Sequence, residues 1–322
     1  MFGLTFLTAT SKTTTHRVVP FLIKRLLEGV AGYVAGGQDS GDISGIDKIA
    51  FSADSKTTLS ATLTTARFSM GAFANSSVAG YVAGGQDSPF ISGIDKVSFP
   101  ADTKTTLSAT LTTARAYLAG FANSGGAGYV AGGNDGSAIS GIDKVSFPAD
   151  SKTTLSATLT SARWSMTAFA NSGTAGYVAG GTTGSANISG IDKVSFPADS
   201  KTTLSATLTT ARGERPAGFA NSGGAGYVAG GNDGARVSGI DKVSFPADTK
   251  TTLSATLTTA RDLAAGFANS GTAGYVAGGS DSGGNISGID KIAFPADTKT
   301  TLSATLTTAR KLTAGFANSG SL

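Results

Sequence analysis

The sequence predicts an all-β fold, a six-bladed β-propeller of four-stranded antiparallel blades. One observation behind this prediction is a repeat: the motif AGYVAGG occurs six times, with its tyrosines 48 or 50 residues apart. Another is a series of short segments in each repeat that are bounded by glycine or proline, which is typical of strands and turns. Repeats of about 40–50 residues with several short strands are characteristic of propeller blades. The repeated tyrosines are Tyr33, Tyr81, Tyr129, Tyr177, Tyr227 and Tyr275.

The third copy illustrates the order of strands within a repeat. Residues 119–124 and 127–131 are two segments of small residues with one aromatic each, and the glycines between them favour a hairpin turn. Residues 139–147 form the third predicted strand, which ends before Pro148 because proline cannot donate to a sheet. Residues 152–160 alternate apolar residues with threonine or serine. This period of two predicts a fourth strand with one buried face, and its hydroxyl-rich face suits the outer edge of a blade.

The two ends of the repeat array complement each other. After the last fourth strand the chain continues into residues 312–319, which have the pattern of a first strand, whereas the residues before Gly32 lack it. We therefore expect the C-terminal strand to complete the first blade and close the ring, which removes free sheet edges. The predicted division is a leader at residues 1–30 and a propeller at residues 31–322.

The leader differs in composition from the repeats. Leucines between Pro20 and Gly29 form an apolar stripe, and proline near the start with glycine at the end is typical of a short helix. Two hypotheses remain open for this segment, a helix that packs on the ring and a docking peptide that anchors the propeller to a larger particle.

The composition argues against several classes of function. The net charge of +4 is thinly spread and gives no basic surface for nucleic acid. There is no cysteine, and the single histidine, His16, lies outside the repeats, so we expect no metal site, no cofactor and no Ser–His catalysis in the propeller. No run of 18 apolar residues occurs, so no membrane span is predicted.

An acidic residue recurs within the third predicted strand. Asp143 and Lys144 point to opposite faces of the strand, because successive side chains alternate. One of them must therefore face the neighbouring blade. The arginine that closes each repeat, such as Arg115, is the expected partner for the aspartate in a structural salt bridge, which we favour over a catalytic role.

The differences between the copies fall in two segments of each repeat. One follows the closing arginine, and the other is the loop after the double glycine. Because strands in an up-and-down blade reverse at each turn, both segments emerge on the same face, here called the variable face. Loops on a rigid scaffold often carry binding residues, and Tyr, Trp and Arg are favoured in contacts. The predicted ligand-binding residues are Phe68, Met70, Tyr117, Trp164, Met166, Glu214, Arg215, Asp262 and Lys311.

The repeat resembles the kelch repeat over residues 32–320. The resemblance lies in the double glycine after an aromatic-bearing strand, as in residues 129–133, and in the closing arginine. The tryptophan that kelch repeats usually have near the fourth strand is absent, and threonine and leucine occupy that stretch. The segments GYVAGG, SATLTTAR and AGFANS also resemble kelch-like proteins of aquatic bacteriophages, which are often assigned to tails or fibres.

This resemblance implies a non-catalytic recognition or structural module on a virion or cell surface, which binds glycan or protein through the variable face. Assembly into a homo-oligomer or a larger particle is a further hypothesis. Two alternatives are an intracellular protein-interaction scaffold and a carbohydrate-active enzyme with a site around Glu214 and Arg215.

Overall fold

The computed structural model describes residues 30–319, which form six four-stranded antiparallel sheets arranged in a closed ring. No residue in this range is helical, so no helix of the described part could cross a membrane. The predicted six-bladed β-propeller is confirmed. The helix predicted for the leader lies outside the described residues.

The four strands of each blade follow one another outward from the axis, and the innermost strands of neighbouring blades contact each other. From blade 1 to blade 6, the innermost strands are β26 (Ala314–Ala317), β4 (Gly71–Asn75), β8 (Ala119–Asn123), β12 (Thr167–Asn171), β16 (Ala217–Asn221) and β20 (Ala265–Asn269). The second strands are β1 (Ala31–Ala35), β5 (Ala79–Ala83), β9 (Ala127–Ala131), β13 (Ala175–Ala179), β17 (Ala225–Ala229) and β21 (Ala273–Ala277).

The outer half of each blade is equally regular. The third strands are β2 (Ile46–Ala50), β6 (Ile94–Ser98), β10 (Ile142–Ser146), β14 (Ile191–Ser195), β18 (Ile240–Ser244) and β24 (Ile289–Ala293). The outermost strands are β3 (Ser55–Thr58), β7 (Thr103–Thr106), β11 (Ser151–Thr154), β15 (Ser200–Thr203), β19 (Thr249–Thr252) and β25 (Thr298–Thr301). A hairpin in blade 6 adds β22 (Ser280–Asp281) and β23 (Gly284–Asn285).

The outermost strand is shorter than its alternating pattern predicted. In blade 3 it ends at Thr154, and the rest of the predicted strand leaves the sheet and runs towards blade 4. Leu159 turns inward and is buried, while the amide and hydroxyl of Thr160 donate to Asp192 of blade 4 at 2.9 and 2.6 Å. The alternation therefore marks a segment that links two blades, in which apolar residues face the core without belonging to a sheet.

The C-terminal strand closes the ring as predicted. Strand β26 pairs with β1 in antiparallel register, with Tyr33 opposite Phe316. Blade 1 is thus assembled from both ends of the repeat array, and β1 has a partner on each side.

Aromatic side chains fill the space between blades. The Tyr33 ring stacks on Phe316 of its own blade at 5.0 Å between centroids and on Phe99 of blade 2 at 5.1 Å. Such stacks contribute beyond the apolar area that they bury. Where β5 of blade 2 packs against this stack, it has a glycine, Gly80. A Cβ at this position would lie 2.1 Å from Cδ2 of Phe316, so there is no space for a side chain.

A buried salt bridge near the variable face joins each blade to the next. Arg67, in the segment that leaves blade 1, donates from Nη2 to Oδ2 of Asp95 in blade 2 at 3.1 Å, and Thr64 adds two hydrogen bonds to the same carboxylate. Burial alone would raise the pKa of Asp95, but the bonds from Thr64 and the charge of Arg67 outweigh it, so the pKa is lowered. The predicted pairing of the closing arginine with the strand aspartate is confirmed, also for Arg115 and Asp143 at 3.2 Å.

A second polar contact joins the blades near the opposite face. The Tyr33 hydroxyl donates to Oδ1 of Asp102 in blade 2 at 2.8 Å, and Lys48 Nζ lies 2.6 Å from Oδ2. Burial raises the pKa of Tyr33 far above its ordinary value, and the hydrogen bond with Asp102 adds to this effect. The ring closes in the same way, since Tyr275 and Lys291 of blade 6 bind Asp54 of blade 1.

Candidate functional site

The two variable segments of each repeat lie side by side on one face. The segment after an arginine pairs with the loop after the double glycine in the next blade, as Phe68 does with Gln86 through two main-chain hydrogen bonds of 3.1 and 2.9 Å. Equivalent bridges occur in all six blades. The variable face is therefore a continuous surface built on paired backbone.

A ring of main-chain hydrogen bonds surrounds the mouth of the channel on this face. In each blade a residue of the segment after the arginine adopts a left-handed conformation, as Tyr117 does at φ 57°, and donates its amide to the preceding blade. The ring holds the face rigid and sets the direction in which each side chain leaves it. Its bonds run from Ser69 to Leu312, Tyr117 to Ser69, Ser165 to Tyr117, Arg215 to Ser165, Leu263 to Glu214 and Leu312 to Leu263.

The aromatic part of the variable face lies on blades 2 to 4. Phe68, Tyr117 and Trp164 are half-buried. The rings of Tyr117 and Trp164 meet edge to face, with centroids 5.3 Å apart and planes at 64°. Within the described chain this is the one aromatic pair outside the stacks between blades.

Several predicted contact residues lie in the interior. Met70 and Met166 are buried and line the central channel. Arg215 also lines the channel, and Asp262 is 1% exposed. Their side chains are therefore not part of the outer surface of the variable face. Of the other charged residues in the predicted set, Glu214 is exposed and Lys311 is half-buried.

A charged cluster lies on the side of the channel mouth away from the aromatic pair. Oδ2 of the buried Asp262 is 3.1 Å from Nε of Arg236, which also donates to Ser280. Loss of hydration and the nearby negative charge of Asp262 raise the pKa of Glu214, and the positive charges of Arg236 and Lys311 oppose the shift.

Arg236 was not among the predicted site residues. The sequence offered one indication of it, which was a difference between copies. Arg236 lies in the variable loop after the double glycine, at the position where the third copy has alanine, Ala138.

The central channel is crossed by Arg215. Repeat 5 has one more residue than the others between the closing arginine and the strand phenylalanine, and Glu214 and Arg215 are both left-handed there. The Arg215 side chain reaches across to blade 2, where Nη2 donates to the carbonyl oxygen of Met70 at 2.6 Å.

The described part of the chain contains no group of three or more His, Cys, Asp or Glu side chains that could hold a metal ion. Comparison with known protein families finds no matching family model, and no characterised protein matches the sequence. The fold and the arrangement of side chains are therefore the basis for any functional proposal.

Proposed function

We propose that this β-propeller is a non-catalytic binding module that recognises glycan through the aromatic part of its variable face. The observation that carries the proposal is the edge-to-face pair of Tyr117 and Trp164, which lies half-buried on the hydrogen-bonded backbone of the variable face. Aromatic rings with one exposed face and a polar edge suit the apolar faces of sugar rings, and few rotamers are lost when they bind.

The kelch-like repeat type and a place on a virion or cell surface belong to this proposal. The closing arginine and double glycine support the former. A surface location is supported by the closed ring, in which β26 pairs with β1 so that the array of blades has no open end. An intracellular scaffold would use the same face, with a protein partner in place of the glycan.

A carbohydrate-active enzyme is the second candidate, favoured by the neighbouring carboxyl groups of Glu214 and Asp262. Two carboxyl groups that flank the scissile bond are the usual acid–base machinery for glycoside hydrolysis. However, Asp262 is buried and forms a salt bridge with Arg236, so of the two only Glu214 has a carboxyl group that a bound sugar could reach. This arrangement favours binding over catalysis.

The first experiment is a glycan-array screen of the purified chain beside a variant with Phe68→Ala, Tyr117→Ser and Trp164→Ala. Each replacement occurs at the equivalent position of another copy: Ala116 corresponds to Phe68 and Trp164, and Ser69 corresponds to Tyr117. The backbone of the variable face therefore tolerates all three replacements. We expect the triple variant to lose binding, and Trp164→Ala alone to weaken it about 30-fold, the effect of a contact worth about 2 kcal/mol.

The control is Val78→Thr, in a turn of the opposite face, where Thr174 and Thr272 stand in other copies. It should bind like the parent protein. Binding that survives the triple change would refute the assignment to this face, and release of a sugar product that Glu214→Gln abolishes would favour the enzyme. Binding to proteins alone, lost in the triple variant, would favour the scaffold.

A further inference from the structure

Arg215 is a buried cation without a matching anion. The six arginines that close the repeats are each 2% exposed, and each lies against an aspartate of the next blade. Arg215 is 9% exposed, and no carboxylate of the described chain pairs with it. Burial lowers the pKa of Arg215 to about 10, so the guanidinium still carries its charge at neutral pH.

The guanidinium retains a free donor inside the channel. Nη2 is used by the carbonyl oxygen of Met70, whereas Nη1 is buried with no hydrogen-bond partner among the described residues. The hydroxyl of Thr313, which is 2% exposed and lines the same cavity, also has none there. Buried donors of this kind are costly to leave unpaired, and a buried charge is costlier still.

The cavity that these groups line is small and lies on the axis of the ring. Its volume is about 50 Å³, and residues from all six blades contribute to it, mostly alanine and glycine of the innermost strands. Since a water molecule requires roughly 10–15 Å³ of such space, the cavity has room for a few water-sized groups. It has room for a halide ion with one or two waters and little room for a larger solute.

We propose that the axial cavity binds a small monovalent inorganic anion of halide size, held by Nη1 of Arg215 with the hydroxyl of Thr313 as a second donor. The anion supplies the negative charge that each of the other buried arginines receives from an aspartate. Because residues of opposite blades meet at this point, the bound ion joins blade 5 to the rest of the ring through Arg215 and stabilises the closed propeller. This role is independent of glycan binding on the outer face.

The test uses bromide, which replaces chloride and scatters anomalously. Crystals of the full chain grown in sodium bromide should show an anomalous peak within hydrogen-bond distance of Arg215 Nη1. Thermal unfolding should also depend on the anion: at equal ionic strength, bromide or chloride should raise the Tm relative to gluconate, which is too large for the cavity. At ten times its dissociation constant, the ion favours the folded state about tenfold.

Arg215→Met should abolish this dependence on the anion, while Lys311→Met, which removes a positive charge from the variable face outside the cavity, should retain it. Arg215→Met exchanges an unpaired buried charge for an apolar side chain, so we expect it to fold in gluconate at least as stably as the parent protein. A map with only water at Nη1, or a Tm that responds equally to halide and gluconate, would overturn the proposal. The crystallographic measurement decides the matter even if the methionine variant does not fold.

Discussion

Glycine in the second strand of each blade sets the distance between neighbouring blades. The ring of Phe316 occupies the space that a side chain at Gly80 would fill. This ring is fully buried and stacked on Tyr33. The ring cannot move aside without breaking that stack. The high glycine content of the repeats thus reflects close contact between blades as well as tight turns.

We expect Gly80→Ala to lower the free energy of unfolding by about 1–3 kcal/mol, the usual effect of overfilling a packed core. The matched control is Gly41→Ala, at an exposed position where a Cβ meets nothing within 4 Å, and its effect should be below about 0.5 kcal/mol. Chemical denaturation of both variants measures the difference. Equal stability of the two would show that the blades are less tightly packed than the structure indicates.

At the scale of the element, strand β26 has a special role because it joins blade 1 without a direct chain connection. It pairs with β1 over four positions, and the ring of Phe316 stacks on Tyr33. In blade 2 the equivalent ring is Phe73, which lies on the strand that directly precedes its partner strand in the chain. The segment just before β26 adds Arg310, which donates to Asp47 of blade 1 at 3.0 Å. Closure therefore combines a sheet, an aromatic stack and a salt bridge.

Removal of residues 311–322 should destabilise the protein by at least about 3–5 kcal/mol, the cost of deleting one buried phenylalanine, and should expose the edge of β1 to association. A synthetic peptide of residues 311–319 should restore the Tm and the oligomeric state of the parent protein by occupying that edge. Calorimetry and light scattering measure both effects. A truncated chain with the oligomeric state and the Tm of the parent protein would contradict the closure described here.

For the whole molecule, the boundaries between blades carry the same polar contacts six times. The six repeated tyrosines each donate to an aspartate of the next blade, at 2.7–2.9 Å. In every case burial raises the pKa most, and the aspartate bond raises it further. Ionisation of these tyrosines is thus coupled to the integrity of the ring.

The sign of this coupling predicts alkaline unfolding. A group whose pKa is raised in the folded state contributes stability that is complete below its ordinary value, here 10.0, and is lost as the pH rises towards the raised value. We expect phenolate absorbance from the six tyrosines to appear only together with loss of the circular dichroism of the fold. Tyr33→Phe should reduce the amplitude of this coupled step by about one sixth, and phenolate formation by these tyrosines in an intact fold would contradict the prediction.

Much of the fold was predictable because the same local pattern occurs six times. The count of blades followed from the spacing of Tyr33 and its equivalents, and the closure followed from an extra first strand at the C-terminal end. The Arg115–Asp143 pair was predictable because a charge that faces a neighbouring blade requires a partner. The end of β11 at Thr154 was not predictable, because the segment that crosses to the next blade alternates apolar and polar residues in the same way as a strand.

The position of the variable segments was predictable, whereas the exposure of their side chains was not. Variation between copies marked the two segments, and strand reversal predicted that they lie together on one face, as their main-chain bridges show. The extra residue of repeat 5 gave no indication that Arg215 would turn into the channel while Glu214 stayed outside, because that choice depends on a left-handed backbone and on space near the axis.

The sequence by itself determined the repeat, the number of blades, the way in which the ring closes and the face on which the copies differ, because these follow from local periodicity and chain direction. Only the tertiary structure decided which side chains of that face remain exposed and which enter the channel. It also decided that the repeated tyrosines bind aspartates of the next blade. Both depend on contacts between residues that are far apart in the chain and that meet only when six blades share one axis.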